Sequence, residues 1–211
     1  MKTVVQCDFD GTITEEDASF FLLDCFAQGD WRRLLQDYKE HKISVGYFNT
    51  HAFALINANK LTLLNAIKGK IKIRPGFSEL VDCCSLKGFR LAIISNGLDF
   101  YIQAMLEEMG LGNIEIYAAQ TVFHADRMKV QYVGPDNKLS DDGLKRTYAK
   151  LFLEQGYRLI YIGDGDSDIT PAKHAHKIFA REDLLTYCRE NKIKHEPFDD
   201  LNDVVRVLEL L

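Results

Sequence analysis

An α/β fold, with a mainly parallel sheet and an inserted run of helices, is predicted by three features of the sequence. An apolar, β-branched run at residues 3–9 ends in carboxylates and Gly11, which reads as a buried strand. From Glu15 to about Lys72 only helical periods occur, with no strand-like segment among them. From Arg74-Pro75-Gly76 onward, strands and helices alternate in the rhythm of parallel strands joined by crossover helices.

The first strand should deliver Asp8 and Asp10 to its carboxyl end, and side chains two apart on a strand share a face, so the two carboxylates converge. Four short helices are expected next, at 18–28, 30–42, 44–57 and 59–70, each with a plausible cap, forming a small bundle. A helix at 77–86, a strand at 89–94 and a helix at 99–109 follow, then a strand at 114–118. Residues 121–133, broken by Ala125-Asp126-Arg127, read as a hairpin to the side of the core. Asp141-Asp142-Gly143 precedes a helix at 144–155, and the strand at 158–162 is the strongest after the first. A helix at 169–174, a strand at 177–180 and amphipathic helices at 182–191 and 200–210 complete the chain. The expected division is a core of 1–14 and 75–211 with the helical segment 15–74 inserted.

With 211 residues, 46% of them apolar, the chain can bury a substantial core. A formal charge of −5 and the lack of a long basic run exclude general affinity for a nucleic-acid backbone. No apolar run is long enough to span a membrane, and the chain enters its first strand without room for a signal peptide. The five cysteines are scattered, odd in number and without zinc or disulfide spacing, which fits a reducing cytoplasm. Oligomeric state is left open.

In open parallel sheets, ligands bind beyond the carboxyl ends of the strands. The residues suited to polar chemistry follow the strands here: Asp8 and Asp10, Ser95-Asn96-Gly97, and the acidic run from Gly163 through Asp164 to Asp168. Phosphoryl transfer needs a nucleophile, a cation against the phosphate oxygens, and donors around them. Asp8 can be the nucleophile, and Asp10 can protonate the leaving alkoxide and then activate water. The plainer alternative for this pair is a set of turn or capping carboxylates.

Asp164 and Asp168 are four apart near a helix start and can face one site. Mg²⁺, which favours a few carboxylates plus water and phosphate, would be held by Asp8, Asp164 and a carbonyl from Asp10. Asp166 reads as a helix-start charge, while Asp168 is a supporting carboxylate that orients a metal-bound water or Lys145. Ser95, Asn96 and Gly97 can offer a hydroxyl and backbone N–H groups to phosphate, although small residues after a strand often form only a turn. Lys145 is the preferred phosphate cation, with Lys150 and Lys129 as rivals.

In this order and spacing, Asp8-x-Asp10-Gly11-Thr12-Ile13-Thr14, Ser95-Asn96-Gly97, Lys145 and Gly163-Asp164-x-x-x-Asp168 resemble the haloacid dehalogenase superfamily of phosphatases. The resemblance implies a Rossmann-like core with Asp8 as nucleophile and Asp10 as acid/base. It also implies phosphate binding by Ser95 and Lys145, Mg²⁺ held by Asp8, Asp10 and Asp164, and a small helical cap of the C1 type at 15–74. The chain is similar to the phosphoserine phosphatase-like group. Its Phe179-Ala180-Arg181-Glu182-Asp183-Leu184-Leu185 segment resembles the methionine-salvage branch, which dephosphorylates 2-hydroxy-3-keto-5-methylthiopentenyl-1-phosphate. Asn96 stands where many such relatives carry glycine, which implies a different pocket rim.

A cap would select a small phosphorylated metabolite by shape. Phe20, Phe21, Phe48 and Phe53 either line a pocket for a methylthio group or form the bundle's own core. Glu15, Glu16 and Asp17 either read the substrate or start a helix, and Arg32 and Arg33 are equally open. The six histidines show no metal-ligand spacing. Phosphoserine or another small ester is the alternative substrate. A phosphoacceptor signalling domain or an inactive phospho-ligand binder is the alternative of another class, and Asp10 and the helical insertion both speak against the signalling domain.

Overall fold

The computed structural model describes residues 2–124, 127–140 and 143–211. Seven strands form one sheet in the order β4-β3-β2-β1-β5-β6-β7, parallel except where β4 runs against β3. At its centre lies β1 (Thr3–Cys7), buried along its whole length, with β2 (Arg90–Leu98) on one side and β5 (Arg158–Gly163) on the other. β3 (Glu115–His124), β4 (Arg127–Gln131), β6 (Lys177–Ala180) and β7 (Glu196–Pro197) extend it outward. A central strand covered on both faces favours apolar residues such as Val4, Val5 and Cys7, and the buried polar Gln6 is accommodated because its Nε2 donates to Lys145 O at 2.9 Å.

Between β1 and the next core element come α1 (Ala18–Phe26), α2 (Trp31–Lys39), α3 (Val45–Phe53) and α4 (Lys60–Ile67). Each starts at a side chain that accepts a backbone N–H of the first turn: Asp17 from Phe20, Asp30 from Arg33, Ser44 from Tyr47 and Asn59 from Thr62. The chain enters and leaves this segment side by side. Thr14 pairs with Ile73, the Glu15 N–H donates to Lys72 O at 2.9 Å, and the Arg74 N–H to Ile13 O at 2.7 Å. The buried Arg74 guanidinium then donates to the carbonyls of Gly11, Thr12, Thr14 and Asp199.

The remaining helices are α5 (Phe77–Leu86), α6 (Asp99–Glu108), α7 (Lys145–Glu154), α8 (Asp166–Ala172), α9 (Glu182–Glu190) and α10 (Leu201–Leu208). α5 packs on β2 and α10, α6 on β2 and β3, and α7 on β5 and α8. Among the described residues no helix is long and apolar enough to cross a membrane.

Several expected elements differ in extent or kind. β1 stops at Cys7, so Asp8 and Asp10 converge through the turn that follows and not through strand alternation. In that turn the N–H groups of Thr12, Ile13 and Thr14 all point at Phe9 O. The four inserted helices are shorter than expected, because their caps and closing turns lie outside the helix proper. The expected strand at 114–118 and the first hairpin arm are one strand, β3. The hairpin is no side feature: β4 lengthens the sheet, packs on α3 and buries Met128 and Val130, with Tyr132 buried just beyond it. The two-residue strand β7 was not expected, and Ala125, Asp126, Asp141 and Asp142 lie outside the described residues.

Candidate active site

A cavity of about 220 Å³ opens at the carboxyl ends of β1, β2 and β5, and the inserted helices roof it. Its floor holds Asp8, Asp10, Ser95, Asn96, Gly97, Lys145 and Asp164, which is every expected site residue except Asp168. The inserted segment contributes Phe20, Leu35, Tyr38, Val45 and Phe48 to the roof, together with the polar Asp17, Ser19, Lys39 and Asn49.

Asp8 is anchored by its N–H on Ile162 O at 3.0 Å, across the β1–β5 pair. Lys145 Nζ lies 3.0 Å from Asp8 Oδ2 and 2.7 Å from Asp168 Oδ1, and donates to Ser167 Oγ at 2.9 Å. Burial works against the Lys145 charge, but Asp168 and Asp8 outweigh it and hold the ammonium well above its usual range. The rivals point elsewhere: Lys150 pairs with Glu154 at the surface, and Lys129 is exposed.

Asp168 is wholly buried and its oxygens are fully engaged. Tyr161 donates to Oδ1 at 2.5 Å beside Lys145, and Oδ2 accepts the N–H groups of Asp164 and Gly165 at 3.2 and 2.9 Å. Its position is therefore behind Lys145, orienting it. Thr12 Oγ1 donates to Asp164 Oδ1 at 2.7 Å, and a Cβ on Gly11, whose φ is +77°, would run into the Asp164 carboxylate. Burial pushes the Asp8 carboxyl well above its usual range, and burial and then the nearby Asp168 push Asp164 up.

Ligand atoms of Asp8, Asp164 and Asp168 lie within 4.8 Å of one another. Three buried carboxylates, Asp8, Asp164 and Asp168, gathered around one ammonium leave negative charge that a hard divalent cation would offset, and oxygen donors suit such an ion. Because Asp168 has no lone pair to spare, the donors that fit are Asp8 and Asp164. The Asp10 carboxylate is turned elsewhere: Oδ1 accepts the Ala18 N–H at 3.0 Å and Oδ2 the Tyr101 hydroxyl at 2.5 Å. Burial raises Asp10 to about 6, against the lowering effect of those two bonds.

The Ser95-Asn96-Gly97 segment is part of β2, not a turn after it, and lies where the β2–β3 register shifts between Ile94 and Leu98. Ser95 Oγ accepts the Gly97 N–H at 2.9 Å, so that N–H is spent locally while the serine proton stays available to donate. Asn96 O accepts from Tyr132 at 2.5 Å and from Asn49 of α3 at 3.0 Å.

Phe20 and Phe48 do reach the cavity, whereas Phe53 is sealed in the core and Phe21 packs against it. Asp17 caps α1 and also lines the cavity, its carboxyl raised well above the usual range by burial and then by Asp10. Glu16 accepts the Lys72 N–H, and Arg32 pairs with the exposed Asp24. Sequence reasoning missed Tyr101, Ser19, Asn49, Tyr132, Tyr161 and Ser167. Only Tyr101 carried a signal, as a polar-tipped residue between the apolar Phe100 and Ile102 shortly after Ser95-Asn96-Gly97-Leu98.

The profile of the haloacid dehalogenase-like hydrolases matches residues 5–173, the stretch running from β1 to the end of α8. Among curated relatives, the 2-hydroxy-3-keto-5-methylthiopentenyl-1-phosphate phosphatase of Brevibacillus brevis is 31% identical over 99% of this chain and 96% of its own. That of Geobacillus kaustophilus is likewise 31% identical, over 99% and 96%. Among solved structures, a phosphoserine phosphatase captured as a phospho-aspartyl intermediate analogue superposes with a TM-score of 0.72 over 98% of both chains, at 17% identity. A sheet of this order, acidic residues at the carboxyl ends of β1 and β5, and a profile match spanning both together mean that the chain belongs to the haloacid dehalogenase-like hydrolase family.

Proposed function

We propose that the chain is a Mg²⁺-dependent phosphatase of a small phosphorylated metabolite, 2-hydroxy-3-keto-5-methylthiopentenyl-1-phosphate, with Asp8 as nucleophile and Asp10 as acid/base. The observation that carries the reaction is one cavity floor holding an Asp8 carboxylate against Lys145 and a second carboxylate, Asp10, with a pKa of about 6. The relatives' printed activity and the apolar side chains of Phe20, Leu35, Val45 and Phe48 in the roof support the substrate. Core residues 1–14 and 75–211 carry the chemistry, and residues 15–74 act as the cap that selects the leaving group.

The phosphate sits with its oxygens toward the Ser95 hydroxyl and the Lys145 ammonium. Asp8 attacks phosphorus, the ester P–O bond breaks, and Asp10 gives its proton to the departing oxygen. Asp10, now ionised, takes a proton from the water that attacks the aspartyl-phosphate, and inorganic phosphate leaves. Mg²⁺, which the carboxylates of Asp8 and Asp164 and the carbonyl of Asp10 would hold, supplies positive charge against the phosphoryl oxygens and favours ionised Asp8. The small, roofed cavity excludes bulk water from the leaving-group side.

Phosphate release from a panel of this ester, phosphoserine, pyridoxal phosphate and nucleoside monophosphates, with Mg²⁺ and with chelator, tests the proposal. The methylthio ester should lead, with no turnover in chelator or by Asp8→Asn. Full turnover by Asp8→Asn would overturn the mechanism, and a preference for phosphoserine would overturn the substrate alone.

A further inference from the structure

Asp10 is gripped by two parts of the chain that are distant in sequence. Ala18, in the first turn of α1, holds Oδ1 through its N–H, and Tyr101, in the first turn of α6, holds Oδ2 through its hydroxyl at 2.5 Å. The Tyr101 hydroxyl also lies 2.7 Å from Ser19 Oγ. Tyr101 is completely buried, and a phenol so placed needs a partner for its hydroxyl; here it has two, one of them the carboxylate.

Gly97 gives independent support for the pairing. A Cβ there would meet both the Tyr101 hydroxyl and Asp10 Oδ2, so bare backbone at Gly97 is what lets the two groups approach. A phenylalanine would fill the same core volume, so packing alone does not call for the hydroxyl.

We infer that Tyr101 is a positioning residue for Asp10, fixing the plane of the carboxyl so that its proton faces the leaving oxygen. The inference rests on the reading of Asp10 as acid/base. The terminal torsion of an aspartate is broad, and one hydrogen bond does not define the plane, whereas bonds on both oxygens do. Of the two, the Ala18 contact belongs to the inserted helical segment and is broken if that segment lifts away. The Tyr101 contact belongs to a helix packed on β2 and β3 and persists. Tyr101 thus ties Asp10 to the sheet, and Ser19 of α1 completes the set.

The test compares the single-turnover rate of leaving-group release, which isolates attack by Asp8 from the later water step that Asp10 also serves, for an alkyl phosphate, whose leaving oxygen needs a proton, and for p-nitrophenyl phosphate, whose leaving group does not. Tyr101→Phe should lose about 10- to 100-fold in that rate on the alkyl ester, with the ester concentration for half-maximal rate unchanged. It should stay within about threefold on the aryl ester. Tyr101→Phe combined with Asp10→Asn should be no slower than Asp10→Asn alone. Equal loss on both esters, or no loss, overturns the inference. Asp10→Asn separates the two claims: if it slows both esters alike, the acid/base reading falls and this inference with it. If Asp10→Asn is selective and Tyr101→Phe is not, only the inference falls. Should Tyr101→Phe fail to fold, a ring-fluorinated tyrosine at position 101, which changes the acidity of the hydroxyl and nearly keeps its volume, must alter the alkyl-ester rate selectively, and the absence of that change overturns the inference equally.

Discussion

Thr12 donates its hydroxyl to Asp164 at 2.7 Å, joining the turn after β1 to the loop after β5 across 152 positions of sequence. The bond orients a carboxylate that would face the cation. Thr12→Val should therefore raise the Mg²⁺ concentration for half-maximal activity by about 10- to 100-fold, the usual cost of losing an outer partner of a ligand. The substrate KM at saturating Mg²⁺ should barely change, and a Mg²⁺ titration of initial rates reads both.

Lys145 is the single ammonium between Asp8 and Asp168, with only 6% of its side chain exposed. Lys145→Ala should destabilise the fold by about 3–5 kcal/mol, because it leaves buried carboxylates without a counter-charge. Pairing Lys145→Met with Asp168→Asn should recover much of that stability and none of the activity. Urea denaturation of the wild type and the two variants checks the first claim, and phosphate release checks the second.

The metal-free protein should lose stability as pH rises. Asp10 titrates near 6 in the fold, and Asp8, Asp17 and Asp164 are also raised, all for burial first, against about 3.9 unfolded. The native state then binds more protons than the unfolded chain across that window. Its contribution is fully present below about pH 4 and is lost through pH 6 and above. Mg²⁺ should offset the loss, so its upward shift of Tm should be larger at pH 8 than at pH 5. Thermal melts with and without chelator at both values decide it, and an equal shift at both would contradict the sign.

Arg74 uses its fork to donate to four carbonyls, those of Gly11, Thr12, Thr14 and Asp199. A lysine carries the charge but not the geometry. Arg74→Lys should cost about 2–4 kcal/mol in denaturant unfolding. It should also lower kcat, since three of the carbonyls it gathers, those of Gly11, Thr12 and Thr14, belong to the turn that carries Asp10.

The acidic positions were readable because strand ends in a parallel sheet announce where chemistry lies, and Asp8, Asp10 and Asp164 follow buried runs. Cap residues were equally plain: Asp17, Asp30, Ser44 and Asn59 each stand one residue before a helix. What was hidden depends on pairs far apart in the chain. Tyr101 looks like a core aromatic until Asp10 is seen beside it, and Tyr132 looks like the end of a peripheral hairpin until Asn96 is found under its hydroxyl. The continuation of β2 through Ser95-Asn96-Gly97 was hidden because glycine and asparagine signal a turn locally, whereas here they form the irregularity between Ile94 and Leu98, where pairing with β3 resumes.

The narrow stem at Thr14 and Ile73 has a wider meaning for how such a molecule can change over time. Because the helical segment leaves and rejoins the sheet at one doorway, the residues of it that lie away from Ala18, Ser19 and Asn49 can be lengthened, repacked or traded without moving β1 or the acids at its tip. Reactivity and taste are thus written on separate stretches of one polypeptide, and a lineage can acquire a new diet while keeping its teeth.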